Sequence, residues 1–233
     1  MSVLSINNLS TGYDKKQVLF DVSLDINEGT TVLLVGSNGS GKSTLLKAIA
    51  GLLPLWNGEI HFQNECIQSV DKKSNETLIK KGLVYIPQKN GLFADMTVIE
   101  NLKMSLLHLK DKRESESRIT KLMEQMPLLK AKYKQTADRL SGGEAKLLSL
   151  AMAMVNRPKL LLFDEPLAGL SENNINLVFE YIEQLKQKGI TLVLVEHKVK
   201  ELFSYADAII GLKLGHLHTD NLNSLDNIKK FMI

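Results

Sequence analysis

Cysteine is nearly missing from this 233-residue sequence: Cys66 stands alone, so no disulfide can close within the chain and an ordinary thiol is expected there. Long apolar runs are missing too. The longest, such as LLSLAMAMV at Leu147 to Val155, fall well short of the ~20 residues that cross a bilayer, which excludes a chain that spans the membrane by itself. The opening MSVLSINNLS has neither the basic start nor the apolar stretch of a secretory signal, so the cytoplasm is the expected compartment. A dominant charge is absent: the net value is +3 with no dense Lys/Arg tract, which argues for neither a nucleic-acid nor a membrane-surface partner. No internal repeat and no low-complexity linker marks a boundary. What remains, 44% hydrophobic and 24% charged, is enough to bury a sizeable core, as one domain or one domain with an inserted lobe.

Four short runs read as strands buried on both faces: TTVLLVG ending at Gly36, GLVYIPQ ending at Gln88, KLLLFDE ending at Glu165 and ITLVLVEH ending at His197. Their apolar residues do not alternate, as expected of parallel strands covered by helices. In open α/β sheets ligands bind beyond the carboxyl ends of the strands, so these endings should converge on one site. The N-terminal segment instead alternates in VLSINNLS and has a turn signal at Thr11-Gly12, which predicts antiparallel strands. Between Asn101 and Arg139 the spacing of Leu102, Leu106, Leu109, Ile119, Leu122, Met123 and Met126 becomes helical, predicting an inserted helical lobe. Its ten Lys/Arg and five Asp/Glu are interspersed, the pattern of a solvated helix face, and its methionines read as core filler.

GSNGSGKS, Gly36 to Ser43, matches G-x-x-x-x-G-K-[ST] in full, between a predicted strand and the helical run TLLKAIAGLL. Glycines let backbone N–H groups turn around phosphate oxygens, and the helix N-terminus favours negative charge. Lys42 would reach the β- and γ-phosphates of a nucleotide, and the Ser43 hydroxyl would bind Mg²⁺. Asp164 and Glu165 close an apolar run and, alone, could be solvent-facing. Beside a phosphate loop they take distinct roles: Asp164 in the Mg²⁺ shell, Glu165 orienting or deprotonating the attacking water, so hydrolysis is implied. Gln88 and His197 read either as exposed polar strand-end residues or as members of that site, and convergence at the sheet edge favours the second. The H-x-H pair His216 and His218, like His61 and His108, reads as surface histidine rather than metal ligand.

LSGGEAK, Leu140 to Lys146, contains a capping box: Ser141 is followed three residues later by Glu144, ahead of the helical run AKLLSLAMAM. The cap does not account for Gly142 and Gly143, because glycine inside a helix gives up as much as ~1 kcal/mol relative to alanine. Bare N–H groups at a helix start form a second surface for a bulky anion.

With LSGGE, the phosphate loop and the carboxylates in one order, the sequence resembles the ABC (ATP-binding cassette) ATPases along essentially its whole length. The resemblance implies an α/β fold, a P-loop NTPase with a mostly parallel core sheet, an N-terminal antiparallel β-subdomain and an inserted α-helical subdomain. It implies a single cassette over 1–233, with a nucleotide-binding core at roughly 1–99 and 156–233 and a helical subdomain carrying the signature at 100–155. ATP and Mg²⁺ are the implied cofactors. Tyr13, stacking on adenine, and Val18 join Gly36, Ser37, Asn38, Gly39, Ser40, Gly41, Lys42, Ser43 and Thr44 as nucleotide-binding residues. Ser141, Gly142 and Gly143 complete the ATP site of a second cassette packed head to tail. Glu165 is the implied catalytic base, His197 the γ-phosphate contact and Lys42 a further catalytic group. Gln88 is the implied Mg²⁺ ligand and link to the partner, alongside Ser43 and Asp164 at the metal. The helical lobe would touch transmembrane permease subunits; neither nucleic acid nor direct membrane insertion is expected, and the chain would sit at the cytoplasmic face.

One departure is visible: where the family commonly has S-A-L-D after the carboxylates, Ala168-Gly169-Leu170-Ser171 stands here. The run IPQKNGLFADMTVIENL, LSGGE, the A-G-L loop and the dipeptide Glu196-His197 are similar to ATPases of branched-chain amino acid importers. A soluble ABC ATPase acting in assembly or scaffolding would share every catalytic residue. A P-loop kinase or switch GTPase would not need Ser141-Gly142-Gly143, and the short lobe leaves no room for the long coiled coil of a DNA-repair ABC protein.

Overall fold

A computed structural model describes residues 1–71, 78–89, 91–197, 199–219 and 222–232. Asn90, inside the run IPQKNGLF, lies outside the described residues.

The chain begins with two long antiparallel strands, β1 (Ser2–Tyr13) and β2 (Lys16–Asn27). The expected turn at Thr11-Gly12 is not where the chain reverses: both residues lie in β1, and the reversal falls at Asp14 and Lys15. Gly12 instead sits at a register shift, where an added Cβ would lie 2.0 Å from the Lys16 carbonyl oxygen. Close backbone approach, not a turn, is what requires glycine there. With β4 (Asn57–Phe62) and β5 (Glu65–Ser69) these strands form a four-stranded sheet in the order β2-β1-β4-β5.

The second sheet contains the four predicted buried runs. They are β3 (Thr31–Val35), β6 (Leu83–Ile86), β7 (Leu160–Asp164) and β8 (Thr191–Val195), followed by β9 (Ala208–Lys213) and the short antiparallel β10 (His216–His218). Its order is β10-β9-β3-β8-β7-β6, with the pairs from β9 to β6 parallel. Every residue of β3, β7 and β8 is buried, which is why these runs show no alternation. Helix α1 (Lys42–Ile49) leaves the end of β3, α2 (Leu78–Lys81) precedes β6, and α7 (Glu172–Gln187) follows β7.

The lobe is built from α3 (Val98–Ser105), α4 (Lys112–Gln125), α5 (Pro127–Lys130) and α6 (Gly142–Met154). Capping boxes open α3 at Thr97 and α6 at Ser141, and Pro127 occupies the first turn of α5, where its missing N–H costs nothing. Leu102, Leu106, Ile119, Leu122, Met123 and Met126 are all buried, so the methionines are core filler as read from their spacing. They belong to the same apolar cluster as Leu33, Val84 and Phe163 of the parallel sheet. Helix α6 is therefore packed on both sides, which explains its nearly continuous apolar run. The chain closes with α8 (Val199–Leu202) and α9 (Leu225–Met232).

Candidate active site

The loop from Gly36 to Gly41 joins β3 to α1, with Gly39 and Gly41 at φ 77° and 107°. At Gly41 an added Cβ would also press to 2.8 Å from Leu19 and 3.4 Å from Val18, which places Val18 against the loop. The Lys42 ammonium is nearly buried and donates to the carbonyls of Gly36 (2.9 Å) and Ser37 (3.0 Å). Burial lowers its pKa, opposed by the charges of Glu165 and Asp164. Ser40 Oγ is buried without a hydrogen-bond partner among the described residues, Asn38 and Gly39 are exposed, and Thr44 is buried in the first turn of α1. Tyr13, 40% exposed at the end of β1, lies beside α1: Lys47 donates to its hydroxyl at 3.4 Å and sits 5.7 Å from its ring centroid.

Three strand ends meet beside this loop. Asp164, the last residue of β7, accepts from the Tyr85 hydroxyl at 3.3 Å through Oδ2, while Oδ1 is buried with no hydrogen-bond partner among the described residues. Burial raises the Asp164 pKa, the neighbouring Ser43 hydroxyl pulls it down, and the Glu165 charge raises it again. Burial and the Asp164 charge push Tyr85 well above the usual phenol range. Glu165 follows in the left-handed region, φ 50°, uncommon for a residue with a side chain. Its carboxylate is held from both sides: Gln88, just beyond β6, donates Nε2 to Oε2 at 2.6 Å, and His197, beyond β8, places Nε2 3.3 Å from Oε1.

The structure thus brings Lys42, Ser43, Gln88, Asp164, Glu165 and His197 to one edge, as the strand endings predict. It does not bring Ser141, Gly142 and Gly143 there. Among the described residues no hydrogen bond or ion pair links them to the phosphate loop, and Ser141 and Gly142 are exposed. The two glycines differ. An added Cβ at Gly143 would lie 2.2 Å from the Asn174 side chain, which would have to turn aside, whereas at Gly142 it meets nothing nearer than 3.9 Å among the described residues.

Two buried charges were not singled out from sequence. Glu196 accepts from the backbone N–H groups of Leu167 and His197, both at 2.8 Å, fixing the loop after Glu165 to the residue that faces it. Lys146, in α6, is 2% exposed and points its ammonium at the carbonyls of Glu165 (3.2 Å) and Gln88 (3.4 Å). Glu196 was legible only as half of a dipeptide. Lys146 reads in sequence as one more lysine on a helix. Outside the site, the exposed His216 stacks on Phe20 and His218 meets Phe231 edge-on, as surface histidines do.

A phosphate loop ahead of a helix, with a buried aspartate and a doubly held glutamate across from it, defines a P-loop nucleoside triphosphatase. The family model described as "ABC transporter" matches residues 19–168. The high-affinity branched-chain amino acid transport ATP-binding protein BraG of Pseudomonas aeruginosa is 37% identical over 92% of this chain and 91% of its own. The lipopolysaccharide export system ATP-binding protein LptB of Escherichia coli is 30% identical over 93% and 89%. Among solved structures, a dimeric ATP-binding cassette in a post-hydrolysis state, bound to ADP and phosphate, superposes with a TM-score of 0.81 at 26% identity, covering 92% of this chain and 96% of that one. The chain belongs to the ABC transporter family and is one of its ATP-binding, ATP-hydrolysing subunits.

Proposed function

We propose that the chain works as one of two cassettes packed head to tail, each lending Ser141, Gly142 and Gly143 to the ATP held by the other, and that the pair drives permease subunits in amino acid uptake. The observation that carries the head-to-tail reading is Gly142: among the described residues nothing crowds a side chain there, and its helix start is exposed. An anion supplied from outside gives those N–H groups a partner. The dimeric relative supports the same reading. The identity of 37% to the branched-chain amino acid protein, against 30% to the lipopolysaccharide-export protein, supports amino acid as cargo.

In this reading the division of labour is a nucleotide-binding core at 1–99 and 156–233 and a helical subdomain at 100–155, with the cassette at the cytoplasmic face of the membrane. Among the described residues no helix is long and apolar enough to cross a membrane, so the hold on the bilayer comes through the permease. Gly36 to Thr44 cradle the phosphates, with Val18 and the exposed Tyr13 ring at the base side. Lys42, already aimed into the loop, meets the terminal phosphates in place of the two carbonyls it now holds.

Mg²⁺ fits the residues present: the partnerless buried Oδ1 of Asp164 is a hard oxygen donor beside the Ser43 hydroxyl, and Gln88 adds an amide oxygen. Held by Ser43, Gln88 and Asp164, the cation would offset negative charge on the phosphates. Glu165, gripped between Gln88 and His197, accepts the proton of the attacking water, and His197 faces the γ-phosphate. The test is reconstitution in liposomes with the branched-chain permease subunits encoded in the same genome. ATP-dependent accumulation of leucine, isoleucine or valine is expected. ATP hydrolysis by a stable complex that accumulates none of the three would sink the cargo assignment.

A further inference from the structure

Lys146 is the least expected charge in the molecule. It lies in α6 among Leu147, Leu148 and Leu150, all at most 2% exposed, with its ammonium 5.5 Å from the Phe163 ring centroid. Burial lowers its pKa, and the charges of Glu196, Glu165 and Asp164 oppose that shift, Glu196 most strongly. Burying a cation costs free energy that its partners must offset, so a lysine here is explained by what its ammonium holds.

It holds two carbonyls, and both belong to residues of the site: Glu165 at 3.2 Å and Gln88 at 3.4 Å. Glu165 is the residue in the left-handed region, a conformation that persists only where its surroundings fix it. Its N–H donates to the Val195 carbonyl at 2.9 Å, so Lys146 supplies the hold on the other side of the same residue. Gln88 in turn grips the Glu165 carboxylate. Lys146 thus touches the backbone of the residue that aims the carboxylate and of the residue that carries it. It does so from the helix whose first turn is Ser141-Gly142-Gly143.

We propose that Lys146 is a positioning residue: its ammonium fixes the Gln88 and Glu165 carbonyls, and so ties the aim of the Glu165 carboxylate to the placement of the helix that carries Ser141, Gly142 and Gly143. The inference rests on the reading of Glu165 as the group that activates water. When the start of α6 engages a nucleotide on a second cassette, the same rigid helix carries Lys146 with it, and each site is set by contact with the other.

The test is nucleotide affinity and single-turnover hydrolysis of Mg-ATP by wild type, Lys146→Met and Lys146→Gln, with Tm as a check on folding. Lys146→Met should keep its nucleotide Kd within about twofold while kcat falls about tenfold or more, because small misplacements of a reacting group cost up to ~100-fold. Lys146→Gln, whose amide still donates to a carbonyl, should recover part of that loss. Unchanged kcat in folded Lys146→Met overturns the proposal. Equal losses in both variants, or Kd and kcat failing together, overturn it as well, since a packing role predicts either. If Lys146→Met alone does not fold, Lys146→Gln decides: lowered kcat at unchanged Kd supports the proposal and any other result overturns it. Failure of both to fold marks a structural lysine and overturns it. A wild-type protein that binds ATP without hydrolysing it would instead overturn the reading of Glu165, before any variant is made.

Discussion

Asp164 and Glu165 are adjacent carboxylates with opposite surroundings. Asp164 is 2% exposed with one oxygen partnerless, while Glu165 is held by two side chains. For Asp164 the consequence is thermodynamic. Its folded pKa is raised, so between the unfolded and folded values the native state holds the extra proton, and stability falls as pH rises through that window. Asp164→Asn should therefore melt higher than wild type at neutral pH without nucleotide, with the gain shrinking to nothing below the carboxylate range; each ~1 kcal/mol corresponds to about 2–4 °C for a chain of this size. A pH series of thermal melts measures it, and a gain that persists unchanged in acid would remove the buried charge as its cause. At this scale the sequence was legible where chemistry followed an apolar run, as at Asp164, Glu165 and His197. It was not legible at Lys146, because nothing in a linear pattern tells a lysine pointing inward at two carbonyls from one on a solvated face.

At the scale of the element, the start of α6 separates two glycines that the sequence treats as a pair. An alanine in place of glycine favours a helix by up to ~1 kcal/mol where its methyl group has room. Gly142→Ala has room within the chain, so the isolated protein should melt higher while nucleotide-driven association weakens. At Gly143→Ala the Asn174 side chain must swing aside, so any rise in Tm should be smaller than for Gly142→Ala. Thermal melts of both variants check the contrast, and a larger rise at Gly143 than at Gly142 would contradict it. The strands were legible because burial on both faces leaves an unbroken apolar run. The reversal after β1 was not, because the glycine that looked like a turn serves a register shift, and the turn itself is made by Asp14 and Lys15. Ser171, where the family commonly has aspartate, stands at the N-cap of α7 and makes no side-chain cap hydrogen bond among the described residues.

For the whole molecule the proposed head-to-tail pairing is tested by mass. On the proposed reading Glu165→Gln removes the proton acceptor and spares the nucleotide contacts, which should lower turnover by about 10²–10⁴ and let the ATP-bound state accumulate. Light scattering with Mg-ATP should then report twice the monomer mass, and addition of Ser141→Arg to the same chain should return it to monomer. A variant that binds ATP and stays monomeric would mean that pairing needs a different cassette or the permease subunits, and co-purification would then separate the two. The sheet order has a further consequence, for synthesis. β3, which carries the phosphate loop, lies between β8 and β9, and both come from the last fifth of the sequence. A nascent chain emerging from the ribosome has neither neighbour of that strand until the segment from Thr191 onward has followed it out. Its ATP-binding edge therefore forms late, as the closure of a loop of more than 150 residues, and until then both backbone edges of an apolar strand stand open to chaperones or to other chains.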